Sequence, residues 1–201
     1  MATISLCMIV KSGRELFEEC LSSMAPYVDE IVVVVDGESP DGCDEVAENF
    51  GAKIIRRELD GDFASQRNVS FEAATGDWIL WLDSDDYLDD ESASRIKILA
   101  DEGWDKGIDA WFFDYQYAFD NYGRCTTVLR RERLLRRETG WNWKYEIHEV
   151  CLCDNPEPVC QYDPGVQIIH KRHETPPELR DPERNVRIIE KVLPITKMTS
   201  G

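Results

Sequence analysis

No apolar run in this chain approaches the roughly 20 residues needed to cross a bilayer as a helix. Its start, Met1-Ala2-Thr3-Ile4-Ser5-Leu6-Cys7, has neither the basic flank nor the long apolar stretch of a signal peptide, so the expected location is the cytoplasm. Positive charge is scarce. The 23 Lys and Arg face 40 Asp and Glu, a net charge of −17, which excludes a general electrostatic affinity for nucleic acid or anionic lipid. Histidine is scarcer still, at three residues. The seven cysteines are an odd number scattered along the chain, which fits reduced thiols rather than a disulfide framework. Cys151-Leu152-Cys153 has no second Cys/His pair at zinc spacing. What is present, 201 residues of which 42% are hydrophobic and 31% charged, suffices for one domain with a real core.

The first third alternates short apolar runs with amphipathic stretches. Ile4–Val10, Glu30–Asp36, Ala52–Arg56 and Trp78–Leu82 read as strands, the first two as fully buried ones. Between them, helices are predicted over Gly13–Met24, over the segment carrying Val46, Ala47 and Phe50 and closed by Gly51, and over Phe63–Ala74. A β-α-β-α-β-α-β order predicts an α/β fold with a mostly parallel sheet, helices on both faces, and ligand chemistry at the carboxyl ends of the strands. The second half reads as a helix over Ser92–Ala100, strands over Ala110–Phe119 and Thr126–Leu129, and a loop over 154–165. A strand over Val166–His170 and a helix over Pro182–Leu193 follow, the helix with Val186, Ile189, Val192 and Leu193 facing inward. This predicts a small antiparallel extension. Residues 1–201 are expected to form one domain, with 1–90 its regular half and 91–201 its less regular half, and a longer natural chain is compatible with this.

Asp83-Ser84-Asp85, directly after a predicted strand, places two carboxylates where both can turn into one crevice, a donor set that suits Mg²⁺ or Mn²⁺ bridging a diphosphate. The same acidic stretch also reads as a helix N-terminus, where Asp caps free N–H groups. Asp36, at a strand end, can accept hydrogen bonds from a uracil imide or a ribose, or can cap the Asp36-Gly37 turn. Arg67 can meet a diphosphate or base, or form an ordinary salt bridge. His148-Glu149 follows Trp141-Asn142-Trp143-Lys144-Tyr145, an aromatic setting that suits a Glu to general base work. His170 at a strand end, with His173 nearby, can complete a metal site or serve a structural role. The basic run Arg130–Arg137 can hold a phosphate-bearing donor or pair with the protein's own acidic surface.

Taken in order, ISLCMIVK (Ile4–Lys11), Cys20-Leu21-Ser22-Ser23, IVVVVDGESPDG (Ile31–Gly42), FASQRN (Phe63–Asn68) and TGDWILWLDSDD (Thr75–Asp86) resemble the nucleotide-binding half of family 2 glycosyltransferases with the GT-A fold. Leu129–Val150 is similar to the segment of that group ending in a His-Glu pair. The resemblance implies a Rossmann-like GT-A domain in which Val10, Lys11, Asp36, Arg67, Asp83 and Ser84 meet the nucleotide and Asp85 binds Mn²⁺ or Mg²⁺. It also implies that His170 approaches the metal, that Glu149 acts as base, and that His148 sits beside it. One departure is Ser12-Gly13-Arg14-Glu15, where the group often has Asn-Glu-Glu after the first lysine.

The activity so implied is metal-dependent transfer of a sugar, hexosyltransferase in type, from a nucleoside diphosphate donor, UDP-linked, to an acceptor the motifs leave unspecified, with inversion. Two rivals stand beside it. A sugar-phosphate nucleotidyltransferase would carry a glycine-rich basic loop after the first strand, of which Lys11-Ser12-Gly13-Arg14 is a poor version. A non-catalytic module would bind the nucleotide sugar or a partner without turnover.

Overall fold

The computed structural model describes residues 1–58, 61–171 and 183–192. Four strands, β1 (Ile4–Val10), β2 (Glu30–Asp36), β3 (Lys53–Arg57) and β4 (Trp78–Trp81), are separated by α1 (Arg14–Met24), α2 (Cys43–Asn49) and α3 (Phe63–Ala73). After β4 come β5 (Asp86–Tyr87), α4 (Asp90–Lys106), β6 (Ala110–Phe119), β7 (Cys125–Arg136), β8 (Trp141–Lys144), β9 (Val150–Cys153), β10 (Cys160–His170) and α5 (Arg184–Val192). Eight strands form one sheet in the order β3-β2-β1-β4-β7-β6-β10-β5, while β8 and β9 make a separate antiparallel hairpin. The pairs among β1, β2, β3 and β4 are parallel, as is β6 with β10. The antiparallel part enters the middle of this sheet through β7, which pairs with both β4 and β6.

Alternation along the buried strands divides the core. Ile4, Leu6, Met8 and Val10 of β1 face one way, onto Phe17, Cys20, Leu21 and Met24 of α1, Val46 and Ala47 of α2, and Ile96 and Leu99 of α4. Cys7 of β1 and Val32 of β2 face the other way, with Ala64 and Phe71 of α3 and Trp143 and Cys151 of the hairpin. Helices therefore cover both faces, as the alternating pattern requires. The order β2-β1-β4 means that the chain leaves β1 toward one side and returns on its other side. That reversal opens a crevice beyond the carboxyl ends of β1 and β4, where Lys11 and Asp83 lie.

Several expected boundaries are corrected. β7 extends to Arg136, so the basic run is mostly strand, with Arg133 and Arg136 buried. β10 begins at Cys160, inside the segment expected to be loop, because its first residues pair in register with Ala110–Phe112 of β6 before a bulge between Tyr162 and Gln167. Among the described side chains of α5 the inward residue is Ile188, whereas Val186 and Ile189 are exposed; the side chain of Val192 lies outside the described residues. His173 and Leu193 lie outside the described residues.

Gly76 shows how closely β1 and the entry to β4 approach. A Cβ added there would meet the Ser5 backbone nitrogen and its Oγ at 2.8 Å, and the Gly76 N–H donates to that same Oγ. Because backbone cannot yield as a flexible side chain can, Gly76→Ala is expected to cost about 1–3 kcal/mol. Thermal unfolding should show a Tm several degrees lower, and an unchanged Tm would refute this account of the contact.

Candidate active site

A cleft of about 640 Å³ occupies the crevice beyond β1 and β4, and every candidate residue lines it: Val10, Lys11, Asp36, Arg67, Asp83, Ser84, Asp85, His148, Glu149 and His170. A second depression of about 500 Å³, between α3 and β8, is lined by none of them. At one end of the cleft, Lys11 Nζ lies 3.0 Å from Asp36 Oδ2, joining the ends of β1 and β2.

The centre is organised by Arg67. Asp62 caps α3 by accepting from the Ser65 N–H at 2.8 Å, and Asn68 then docks the β8–β9 hairpin against the helix. Its Nδ2 donates to the Trp143 carbonyl at 3.0 Å and its Oδ1 accepts from the Trp143 N–H at 2.7 Å. The preceding residue, Arg67, therefore meets the loop that follows β8. Its Nε donates to Glu149 Oε1 at 3.0 Å and its Nη2 to Asp83 Oδ1 at 2.6 Å, while Trp81 and Trp143 lie 5.0 and 4.9 Å from its guanidinium. The aromatic setting expected around Glu149 thus houses its cation. His148 is exposed on the cleft rim, at a φ of 54°.

Residues 83–86 form a tight turn closed by Asp86, a residue the sequence reading passed over. Asp86 Oδ2 accepts from the Asp83 N–H at 2.9 Å and lies 3.1 Å from Arg133 Nη1. Its Oδ1 accepts from the Tyr115 hydroxyl at 3.0 Å and lies 3.2 Å from His170 Nδ1, because β10 pairs with β5 in a register that sets His170 opposite Asp86. Asp86 is consumed in holding the turn. The helix-capping alternative for the acidic stretch belongs to Asp89, which accepts from the Ser92 N–H at the start of α4. Arg133 is the other unforeseen member. Fully buried, it lies 3.7 Å from the Trp81 ring centroid and 4.3 Å from that of Tyr115. Strand alternation places it on the cleft side, a signal lost when the basic run is read as a surface patch.

The remaining arginines of that run are mostly structural. Arg136 donates to the carbonyls of Gly103, Trp104 and Ile108 at the end of α4, and Arg137 to that of Gly76. Arg14 is tied to the Gly42 carbonyl and Glu45 and does not line the cleft, which leaves no basic loop of the nucleotidyltransferase kind beside β1.

The electrostatics separate the acidic groups. Burial alone would raise the Asp83 carboxyl, but Arg67 and Arg133 outweigh it and hold Asp83 well below the usual carboxylate range. Asp85 has no arginine or lysine partner among the described residues; burial, reinforced by Asp83 and Asp86 and only partly offset by His170, pushes it up to about 6. For His170, burial would lower the pKa, but the Asp86 hydrogen bond and the charges of Asp85, Asp86 and Asp83 raise it.

A family model described as glycosyl transferase family 2 matches residues 5–155. A TPR repeat-containing protein of Synechococcus elongatus is 41% identical over 102 residues, covering 51% of this chain and 25% of the relative. An uncharacterized glycosyltransferase of Rickettsia bellii is 33% identical over 143 residues, covering 64% and 46%. The chain thus spans between a quarter and just under half of these curated relatives. Among solved structures, S. aureus TarS 1–349 in complex with UDP-GlcNAc superposes with a TM-score of 0.55 at 16% identity, covering 94% of this chain and 65% of that one. Glucosyl-3-phosphoglycerate synthase from Mycobacterium tuberculosis, in complex with phosphoglyceric acid, gives 0.51 at 20% identity, covering 70% and 60%. These two likenesses speak to the fold.

Replacing Arg67 by Met would leave Glu149 without its cation and Asp83 with only Arg133, 3.8 Å away. Breaking such a pair costs about 3 kcal/mol. The sign with pH follows from Asp83: a carboxyl held low in the folded state stabilises above its unfolded pKa and loses that contribution as pH falls through the folded value. The stability gap between wild type and Arg67→Met should therefore be widest near neutrality and narrow below about pH 4. Urea unfolding across pH measures it; a gap independent of pH would contradict the pairing.

Proposed function

The chain belongs to glycosyl transferase family 2, and on that premise we propose that it transfers a sugar from a UDP-linked donor to an acceptor in a reaction that uses Mn²⁺ or Mg²⁺. The observation that carries this reading is the state of Asp85, a carboxylate on the cleft with no arginine or lysine upon it among the described residues and only the His170 imidazole beside it. The donor set fits a divalent ion. Ligand atoms of Asp83, Asp86 and His170 all lie within 4.8 Å of one another, and Asp85 Oδ1 is 3.4 Å from His170 Nδ1. Four carboxylates, Asp83, Asp85, Asp86 and Glu149, meet two guanidiniums, Arg67 and Arg133, which leaves two negative charges when His170 is neutral. Asp85 and His170 are the residues with ligand capacity to spare, since Asp83 and Asp86 are engaged by arginine. A bound divalent ion would offset the charge that develops on the departing diphosphate.

The chain's own residues supply the rest. Lys11 and Asp36, with Val10 and Ser84, form the nucleoside end of the cleft, where Asp36 can accept from the uracil imide or a ribose hydroxyl. The TarS complex holds UDP-GlcNAc in a protein of this fold, which supports a UDP-linked donor here. Arg67 engages Glu149 Oε1, and the other carboxylate oxygen takes the acceptor's proton as the new glycosidic bond forms; His148 stands beside it on the rim. Attack from the Glu149 side, opposite the leaving diphosphate, inverts the anomeric carbon. No helix among the described residues is long and apolar enough to cross a membrane, and all seven cysteines are free thiols, which suits the reducing cytoplasm proposed as its setting.

The test separates metal, donor and base. Calorimetry should show UDP binding strengthened by Mn²⁺ in the wild type. In Asp85→Asn that strengthening should vanish, whereas Glu149→Gln should keep it and lose about 10²-fold or more in transfer rate. Equal UDP affinity with and without Mn²⁺ in the wild type would overturn the metal-dependent reading, and full transfer by Glu149→Gln would overturn the base assignment.

A further inference from the structure

Basic side chains gather along the cleft in an acidic chain. Against 40 acidic and 23 basic residues overall, the lining holds Asp36, Asp83, Asp85 and Glu149 but also Lys11, Arg67, Arg131, Arg133, Arg184 and Arg187. Five guanidiniums among the described lining residues of one cleft, in a protein of net charge −17, suit it to an anionic ligand, although Arg67 and Arg133 also pair with Asp83, Glu149 and Asp86. Arg133 carries a second sign of the same kind: it is fully buried against the cleft, and its Nε and Nη2 have no hydrogen-bond partner among the described residues.

Two of the five guanidiniums come from α5, which lies beyond the residues matched by the family model. The helix is seated by particular contacts. Ile188 is buried, and its side chain lies 3.6 Å from the position a Cβ would take on Gly61, in the turn that leads into α3. The Arg184 guanidinium lies 4.7 Å from the ring centroid of Phe63, the first residue of α3 and itself part of the cleft lining. Phe63 stands one helical turn before Arg67, which holds Asp83. The seat of α5 therefore directs Arg184 and Arg187 to the wall of the cleft near the Arg67–Asp83 pair.

Resting on the glycosyltransferase reading above, we infer that α5 forms a wall of the donor site and that Arg184 and Arg187 bind the phosphates of the nucleotide sugar. Guanidiniums suit this task because their forked N–H groups match phosphate oxygens and stay charged at any pH of interest. The arrangement also divides the work: Asp36 and Lys11 hold the nucleoside end, while the phosphates receive cations from an element outside the family-matched core.

The test uses the full chain with Arg184→Ala/Arg187→Ala, and calorimetric titration with UDP, UMP and uridine in the presence of Mn²⁺. Arg187 is exposed and Arg184 half-buried, so folding should survive; a charge-reversed variant, Arg184→Glu/Arg187→Glu, provides a second measure at the same sites. UDP affinity should fall about tenfold in the first variant and further in the second, uridine affinity should stay unchanged, and the salt dependence of UDP binding should flatten. Unchanged UDP affinity in both variants would overturn the inference, as would an equal loss for uridine, which would place α5 on the nucleoside instead. A rise in KM for an anionic acceptor with donor affinity intact would overturn the donor assignment in favour of the acceptor. Failure of the underlying reading looks different: the wild type itself would bind no UDP.

Discussion

A buried guanidinium packed against a pair of indoles holds this site together. Arg67 lies beside the edge-to-face pair Trp81 and Trp143 and is bonded to both Asp83 and Glu149. Taking such a charge out of water is costly unless its partners are well placed, and here each partner comes from a different part of the fold. Asp83 follows β4, Glu149 lies in the loop between β8 and β9, and Arg67 stands on the helix between β3 and β4. The hairpin must dock on α3 before the pair with Glu149 can form, which is why Asn68, the next residue along, clasps the Trp143 backbone in both directions. One ion-pair triad thereby ties the proposed nucleotide side of the cleft to its proposed acceptor side.

Around this centre the carboxylates divide by what they touch. Asp83 is saturated by arginine and held ionised; Asp86, inaccessible and bonded to the Asp83 N–H, Arg133, Tyr115 and His170, fixes the turn. Asp85 lines the cleft with only an imidazole for company among the described residues. Adjacent residues of identical chemistry thus take separate duties because the turn aims their side chains in different directions, two toward protein cations and one toward an imidazole. The same logic governs the basic run of β7: Arg133 serves the site, whereas Arg136 and Arg137 satisfy carbonyls at the end of α4 and before β4.

Much of the parallel half was legible in the chain itself. β-branched runs closed by Asp36-Gly37 and by Asp83-Ser84-Asp85 marked strands and their carboxyl ends, and strand ends are where an α/β sheet places its ligands. That is why every candidate residue, though picked from local motifs, lines one cleft. Asp86 and Arg133 escaped because their roles depend on partners far along the chain. Asp86 looks like one more acidic residue until β5 pairs with β10 and brings His170 opposite, and Arg133 looks like surface charge until β7 enters the middle of the sheet. The inward face of α5 was misjudged for a related reason: Val186 and Ile189 fit an apolar stripe, but among the described residues the helix rests on the turn at Gly61 and the start of α3, and Ile188 is the one that reaches the turn.

Local order, then, was the chain's own doing: alternating hydrophobic runs, turn residues and caps act over a few positions, and they suffice to set strands, helices and the crevice between β1 and β4. Tertiary structure decided which charges meet. Contacts such as Arg67 with Glu149 and Asp86 with His170 join residues 82 and 84 positions apart, and no local periodicity encodes a contact whose energy arises only when distant charged groups leave water together.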